Sequence, residues 1–329
     1  MTIPIQSNII KEFFLNIIVT GSSGYVASNL IPLLKKEFSV FSVDSVCSNY
    51  CDLNASIDSA EFRSWLSQFE DEQISIVNLA AARFDYGATA VDYYQTNVSS
   101  QKKFLESLSN MVVKKFIHVS SVAAFDGFHI NFSRTLSCDD AYRATKYIQE
   151  SIIKKWCDDH NVELIVLYPS AIFSEDPRSD TNIGKLQSVS KFIPFIPNIE
   201  ITKSLTYLPF FSKFIVDSVA GEISAGKYLT IENPSISVSK MIQLISGRSI
   251  KLVKIPFFSG ILKIIANFLH VLGFFGRIDL KLTPNRVVKL FTDTSYSHVS
   301  SMDIDTETYV ARNCEELPEI LAKLSRVEK

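Results

Sequence analysis

Residues 16–30 read Asn16-Ile17-Ile18-Val19-Thr20-Gly21-Ser22-Ser23-Gly24-Tyr25-Val26-Ala27-Ser28-Asn29-Leu30. Ile17, Ile18 and Val19 form a continuous β-branched run, the pattern of a strand buried on both faces. Gly21 and Gly24 come next. Val26, Leu30, Leu33 and Leu34 then open an amphipathic run. The stretch is therefore a strand, a tight glycine turn and a helix. Small residues in such a turn let the backbone approach a pyrophosphate, which rests on the free N–H groups at the helix start. Gly21, Ser23, Gly24, Tyr25 and Val26 are the candidate contacts. Ala27 stands where a third glycine is common and is small enough for close packing of helix on strand. An ordinary strand-to-helix turn would use the same residue types, so the segments downstream decide the reading.

Outward from this turn, the acid at the end of the next strand comes first. Phe38 to Asp44 is a second strand, and Asp44 lies 23 residues after Gly21. A carboxylate there accepts hydrogen bonds from a ribose diol and repels a 2′-phosphate. No Arg or Lys lies between Asp44 and Asp52, so NAD is favoured over NADP. A solvated acid at a strand end is the alternative. Asp52-Leu53 is a polar–apolar pair suited to the adenine edge. Gln73 to Ala82 is a strand ending in small residues, and Leu79, Ala80 and Ala81 leave room there for a cofactor; the same alanines also suit helix packing.

Three further segments carry chemistry. Val91 to Leu108 has a helical pattern that includes Asn97. Lys114 to Ser121 is a strand ending in the hydroxyls Ser120 and Ser121. Tyr142 to Asp158 reads as a helix, with Tyr142 and Lys146 one turn apart on one face. An ammonium beside a phenol lowers the phenol's pKa, which makes Tyr142 a candidate acid/base for a sugar hydroxyl or ketone. A surface pair is the alternative for Tyr-x-x-x-Lys alone. Here it lies 21 residues after Ser121, in a chain that opens with the glycine turn. Val162 to Phe173 is a sixth strand and its exit.

Beyond Phe173 the alternation fades. Residues 174–209 hold four prolines and read as loops around short helices. Helices are expected at Phe214–Ser224, Val238–Ile245, Thr283–Phe291 and Pro318–Leu324, and strands at Lys227–Ile231 and Ile250–Ile255. Pro256 to Phe275 is apolar but interrupted by Lys263, Asn267 and His270, which is short and polar for a spanning helix. It reads as a buried or half-buried helix, with association to a membrane surface as the alternative.

Composition sets limits. Apolar residues are 47% and charged residues 21% of 329, which excludes a disordered chain and allows a cofactor domain plus a smaller lobe. The formal net charge of −2 gives no electrostatic case for nucleic-acid binding. The five cysteines form no Cys-x-x-Cys pair, so no metal site and reduced cytoplasmic thiols are expected. The N-terminus lacks the basic and apolar regions of a signal peptide.

Together these segments resemble the extended branch of the short-chain dehydrogenase/reductase superfamily, in particular its nucleotide-sugar epimerases and reductases, the NAD-dependent epimerase/dehydratase family. The resemblance rests on Thr20 to Ala27, Asp44, Asp52-Leu53, Leu79 to Ala81, Asn97, Ser120-Ser121, Tyr142-x-x-x-Lys146 and Tyr168 to Phe173. It implies an α/β fold, a Rossmann-type doubly wound parallel sheet with a smaller mixed C-terminal substrate lobe. Residues 1–173 would form the NAD-binding domain. Residues 174–329 would be mainly the substrate lobe, with some segments returning to the sheet.

The same resemblance implies roles. Tyr142 would be the acid/base, Lys146 would bind the nicotinamide ribose, Ser121 would orient the reacting oxygen, and Asn97 would complete the tetrad. Pro169 and Ser170 would lie against the cofactor. Asn182 resembles the family's diphosphate-contacting Asn. Lys203 takes the place of an Arg that grips the pyrophosphate, which turns a bidentate clamp into a point charge. Tyr168 replaces the Arg usual before Pro169. Val122, Ala123 and Ala124 come after Ser121 where the dehydratases carry acids, so dehydration is set aside.

Two enzyme activities remain: an NAD-dependent epimerase, acting at C4 of a UDP-sugar, or an NAD(P)H-dependent 4-keto-sugar reductase. The segment from Pro256 to Ser300 resembles enzymes of bacterial surface polysaccharides, which include both activities. Asp44 tilts the choice toward the epimerase. A dinucleotide-binding protein without turnover is the third reading, and a homodimer through the helices bearing Asn97 and Tyr142 is expected.

Overall fold

The computed structural model describes residues 15–82, 89–129, 138–179, 181–190, 195–233, 235–247, 251–253, 308–313 and 316–324, with single positions between 260 and 268. The first half runs β1 (Asn16–Thr20), α1 (Tyr25–Leu34), β2 (Ser39–Asp44), β3 (Leu53–Asn54), α2 (Ala60–Leu66) and β4 (Gln73–Asn78). It continues through α3 (Ala90–Tyr94), a π turn at Gln95–Ser99, α4 (Ser100–Ser107), β5 (Val112–Val119), α5 (Cys138–His160) and β6 (Glu163–Pro169). The second half contributes β7 (Ala171–Phe173), α6 (Asn182–Ser190), β8 (Ile196–Pro197), β9 (Thr202–Lys203), β10 (Leu205–Tyr207) and α7 (Leu208–Ala220). After these come β11 (Gly226–Asn233), β12 (Ile236–Ser237), α8 (Val238–Ser246), β13 (Leu252–Val253), β14 (Thr308–Asn313) and α9 (Leu317–Lys323).

Eight strands form the central sheet in the order β14-β11-β6-β5-β4-β1-β2-β3. Every neighbouring pair is parallel. The order reverses between β1 and β4, which opens a crevice at their carboxyl ends, the usual ligand position in such sheets. The β-branched run of β1 explains why both faces are covered. Ile17 and Val19 join Leu30, Ile31, Phe211 and Ile215 of α1 and α7 on one side. Ile18 joins Phe62, Phe104, Phe116 and Trp156 on the other. A separate cluster of Phe173, Leu205, Ile236, Met241, Ile245 and Leu321 forms the core of the smaller lobe.

Some elements depart from the expected bounds. α7 starts at Leu208 rather than Phe214, because Pro209 occupies its first turn, where a missing N–H leaves nothing unpaired. It stops at Gly221, whose φ of +90° suits only glycine. The helix expected over Val91–Leu108 is interrupted by the π turn. The strand expected at Ile250–Ile255 is confined to Leu252–Val253. The helix expected at Thr283–Phe291 lies outside the described residues. Burial was expected for the 256–275 segment, yet its described positions (260, 261, 264, 265, 267 and 268) are helical and all exposed; they pack on no apolar cluster.

Candidate active site

The glycine turn lies at the mouth of the crevice. Gly21 has φ +74°, and its N–H donates to the Val43 carbonyl at 2.9 Å. A Cβ there would lie 2.8 Å from the Ala80 nitrogen and the Leu79 carbonyl carbon, so only glycine fits between β1 and the end of β4. Gly24 caps α1 without a side chain to take its first N–H groups, and no acid stands in the first turn. N–H groups at such a helix start suit an anionic ligand. The phenol of Tyr25 meets the Ser174 hydroxyl at 2.7 Å, and Arg178 Nη1 donates to the Ser23 carbonyl at 3.2 Å. Both contacts bring the segment after β7 over the turn. Val26 packs against the core beneath.

Asp44 ends β2 beside the turn. One carboxylate oxygen accepts the Ser23 N–H at 2.9 Å and the other the Val46 N–H at 3.0 Å. The Ser45 hydroxyl also donates to that second oxygen at 3.5 Å; of the roughly four acceptor sites of a carboxylate, about one remains for a ribose diol. Asp52 is held to β2: its Oδ2 accepts from the Ser42 N–H at 2.9 Å and the Ser42 hydroxyl at 2.6 Å, and its Oδ1 lies 3.6 Å from Lys35 Nζ. Leu53 is the next residue, in β3. Leu79 and Ala80 donate to the backbone and hydroxyl oxygens of Thr20, and Ala81 is exposed. This cradle, with uncapped donors at a helix start and an acid one strand away, fits a dinucleotide with a free ribose diol.

Ser121 lies one residue past Ser120 at the exit of β5. It is half-buried, and its hydroxyl accepts the Ala123 N–H at 3.2 Å. Tyr142 is half-buried on α5, edge-on to Tyr93 with ring centroids 6.0 Å apart. Lys146 is only 2% exposed. Its ammonium donates to the Val119 carbonyl at 3.0 Å and to Gln149 Oε1 at 2.9 Å, which leaves one of its three donors. Burial lowers its pKa from 10.5 to about 7, with the Glu150 charge opposing. The helix α5 is thereby pinned to the strand end that carries Ser121.

Asn97 stands in the π turn, fully buried. Its Oδ1 accepts the Ala82 N–H at 2.6 Å, and its Nδ2 donates to Thr145 Oγ1 at 3.1 Å. It therefore braces the end of β4 against α5, one residue from Lys146. Pro169 closes β6. The Ser170 hydroxyl is engaged with the Ser204 carbonyl at 2.8 Å, and its N–H with Thr206 Oγ1 at 2.9 Å. Asn182 starts α6, and its side chain lies outside the described residues. Lys203 is half-buried in β9, paired with Ile236 of β12.

Sequence reasoning missed a buried polar seam behind Lys146. Gln149 Nε2 donates to the Ala80 carbonyl at 3.1 Å and to Gln101 Oε1 at 3.0 Å. Asn78 Nδ2 donates to Gln101 Oε1 at 2.9 Å and lies 3.3 Å from His118 Nδ1, while Asn78 Oδ1 accepts the Thr20 hydroxyl at 2.7 Å. Burial, then the charge of Lys146, holds the His118 imidazole well below its usual pKa, so it is neutral. A second group surrounds Glu150: the Ser120 hydroxyl at 3.1 Å, the Tyr168 phenol at 2.5 Å and Lys227 Nζ at 3.2 Å. Burial and the Glu150 charge push the Tyr168 phenol far above its ordinary pKa, so it stays a donor. The helical spacing of Gln149 and Glu150 from Lys146 was the available signal.

Residues 17–208, more than half of the chain, match the NAD dependent epimerase/dehydratase family. An N-acetyl-alpha-D-glucosaminyl-diphospho-ditrans,octacis-undecaprenol 4-epimerase of Escherichia coli O157:H7 is 23% identical over 235 residues, covering 69% of this chain and 70% of that protein. A UDP-glucose 4-epimerase of Drosophila melanogaster is 23% identical over 255 residues, covering 64% and 71%. Among solved structures, a UDP-N-acetylglucosamine 4-epimerase from Methanobrevibacter ruminantium M1, in complex with UDP-N-acetylmuramic acid, shares the fold with a TM-score of 0.63. It has 17% identity and covers 95% of this chain and 97% of that one. With the glycine turn, the strand order and this match in agreement, the chain belongs to the NAD dependent epimerase/dehydratase family.

Proposed function

We propose that the chain is an NAD-dependent epimerase that inverts C4 of a hexose carried on a diphosphate, a UDP-sugar first, with Tyr142 as acid/base. The observation that carries this reading is Lys146, buried and held by the Val119 carbonyl beside Ser121, one helical turn from Tyr142. The relatives support the carbon: three 4-epimerases are among them, two for UDP-sugars and one for a lipid diphosphate.

NAD bound in the crevice supplies a hydride acceptor and then a donor. Tyr142 takes the C4 hydroxyl proton as the carbon is oxidised and returns it after the sugar turns over. Ser121 donates to the same oxygen and fixes its position. The remaining Lys146 N–H suits a ribose hydroxyl, and Asp44 the other ribose. Asn182 and Lys203 serve the diphosphate in this reading. Residues 1–173 then form the cofactor domain and 174–329 mainly the substrate lobe. The free thiols Cys47, Cys51 and Cys157 suit a reducing cytoplasm. A homodimer through the helices of Asn97 and Tyr142 completes the reading, and a monomer mass by light scattering at micromolar concentration would contradict it.

The test is absorbance and mass spectrometry on freshly purified, denatured protein, and then turnover of UDP-hexoses and of a polyprenyl-diphospho-hexose. Released NAD with interconversion that needs no added cofactor supports the epimerase. Oxidation of added NADH or NADPH only by a 4-keto sugar makes it a reductase, with Tyr142 giving one proton. Tyr142→Phe is expected to lower turnover by about 10²–10⁴-fold, the usual share of general acid–base catalysis. Full activity in that variant would sink the mechanism.

A further inference from the structure

The segment near Ile261 is not absorbed by the catalytic reading. Ile261, Ile264, Ile265 and Phe268 recur at i, i+3, i+4 and i+7, one face of a helix. Each is exposed, at 46, 70, 44 and 63%. In the sequence, Lys263, Asn267 and His270 recur at the complementary helical positions. An apolar stripe of this kind normally faces a core, and this one packs on no apolar cluster of the described residues.

Charge indicates what covers it. Residues 251–290 hold seven Lys or Arg (251, 254, 263, 277, 281, 286 and 289) against the single acid Asp279. The whole chain has 33 basic and 35 acidic residues, so this stretch is strongly basic within an otherwise acidic protein. An exposed apolar stripe inside a basic stretch complements an anionic lipid surface, where the apolar side chains enter the acyl boundary and the cations meet phosphates. A spanning role does not fit: no described helix is long and apolar enough, and Lys263, Asn267 and His270 interrupt the apolar run.

We infer that the segment carrying the exposed Ile261, Ile264, Ile265 and Phe268 is an interfacial anchor that lays this chain on the surface of an anionic bilayer. The inference stands on exposure and charge and is independent of which reaction the crevice performs. The occupant is the bilayer. A second copy of the chain is the competing occupant, and the experiment separates the two.

The full chain is sedimented with vesicles of phosphatidylethanolamine and phosphatidylglycerol, and separately with phosphatidylcholine vesicles, at low and high salt. Binding is expected to the anionic vesicles, weaker to the neutral ones, and to fall as salt screens the cations. The double variant Ile264→Asp with Phe268→Asp is expected to reduce vesicle binding by about tenfold or more. Both positions are exposed and neither is assigned to the cofactor or the reaction, so NAD content and circular dichroism of the variant are expected to match the parent. Parent protein left in the supernatant with anionic vesicles would overturn the anchor. So would a variant that binds vesicles like the parent but halves the particle mass in light scattering, which would assign the stripe to a second copy.

Discussion

Lys146 is an ammonium held almost without solvent, and its burial has a measurable consequence. Its folded pKa is about 7, below the ordinary 10.5. Between those values the unfolded chain keeps a proton that the folded chain has released. Stability therefore rises with pH across that window, by at most about 1.4 kcal/mol per pH unit from this residue. Below pH 7 both states are protonated, and the folded state bears the full cost of the buried charge. Lys146→Met is expected to abolish activity, to be more stable than the parent at neutral pH, and to lose this part of the slope in urea titrations from pH 7 to 10. An unchanged slope would show that Lys146 keeps its charge throughout. Nothing in Tyr142-x-x-x-Lys146 as a motif discloses this burial: the spacing fixes the face of the helix, but the carbonyl that meets the ammonium comes from β5.

At the scale of elements, α5 is held to the sheet by polar contacts as well as by packing. Gln149 links three of them: it accepts from Lys146 and donates to the Ala80 carbonyl and to Gln101. Gln149→Leu strips partners from groups that remain buried, and each unsatisfied group costs about 1–3 kcal/mol. A loss of about 2 kcal/mol or more in urea unfolding is expected, together with a shift in the pH profile of kcat, since Lys146 loses its side-chain acceptor. A stability loss with an unmoved profile would reduce Gln149 to a structural role. Single-residue variants of Asn97 are predicted to act similarly, because that side chain ties Ala82 to Thr145 rather than touching Tyr142. The elements themselves were legible where periodicity is strong, as in β1, β2, β5 and α5. The seam was not, because a polar residue on an amphipathic helix ordinarily marks the solvent side. Only the three-dimensional pairing of Asn78, Gln101 and Gln149 reveals that these face inward. Pro209 misled for a related reason: it reads as a loop marker, yet it is well suited to the first turn of α7.

At the scale of the molecule, the doubly wound parallel sheet was legible in the first 173 residues, although two of its strands, β11 and β14, come from beyond them, whereas the smaller lobe was not legible. Its strands are two or three residues long and its helices short, so they carry little periodic signal. The lobe is also stitched to the cofactor domain by contacts distant in sequence, such as Tyr25 with Ser174 and Arg178 with Ser23. Tyr25→Phe is expected to leave folding nearly intact, since one part-buried hydrogen bond contributes about 0.5–1.5 kcal/mol, and to raise KM more than it lowers kcat. An equal fall in kcat and kcat/KM would place Tyr25 in the chemistry instead.

The outermost strand of the central sheet, β14, is residues 308–313, paired in parallel with β11 at 226–233. During synthesis on the ribosome, β11 therefore emerges long before its neighbour exists. Until residue 313 has been made, the row of backbone N–H and C=O groups beside Leu229 and Ile231 has no partner strand, and such an edge recruits other chains. Nascent chains halted ahead of residue 308 are accordingly expected to associate. A translation stop at residue 300 provides the check: a monodisperse product in light scattering would mean that the open edge is tolerated. Residues 308–313 thus decide whether Leu229 and Ile231 lie inside the sheet or along its edge.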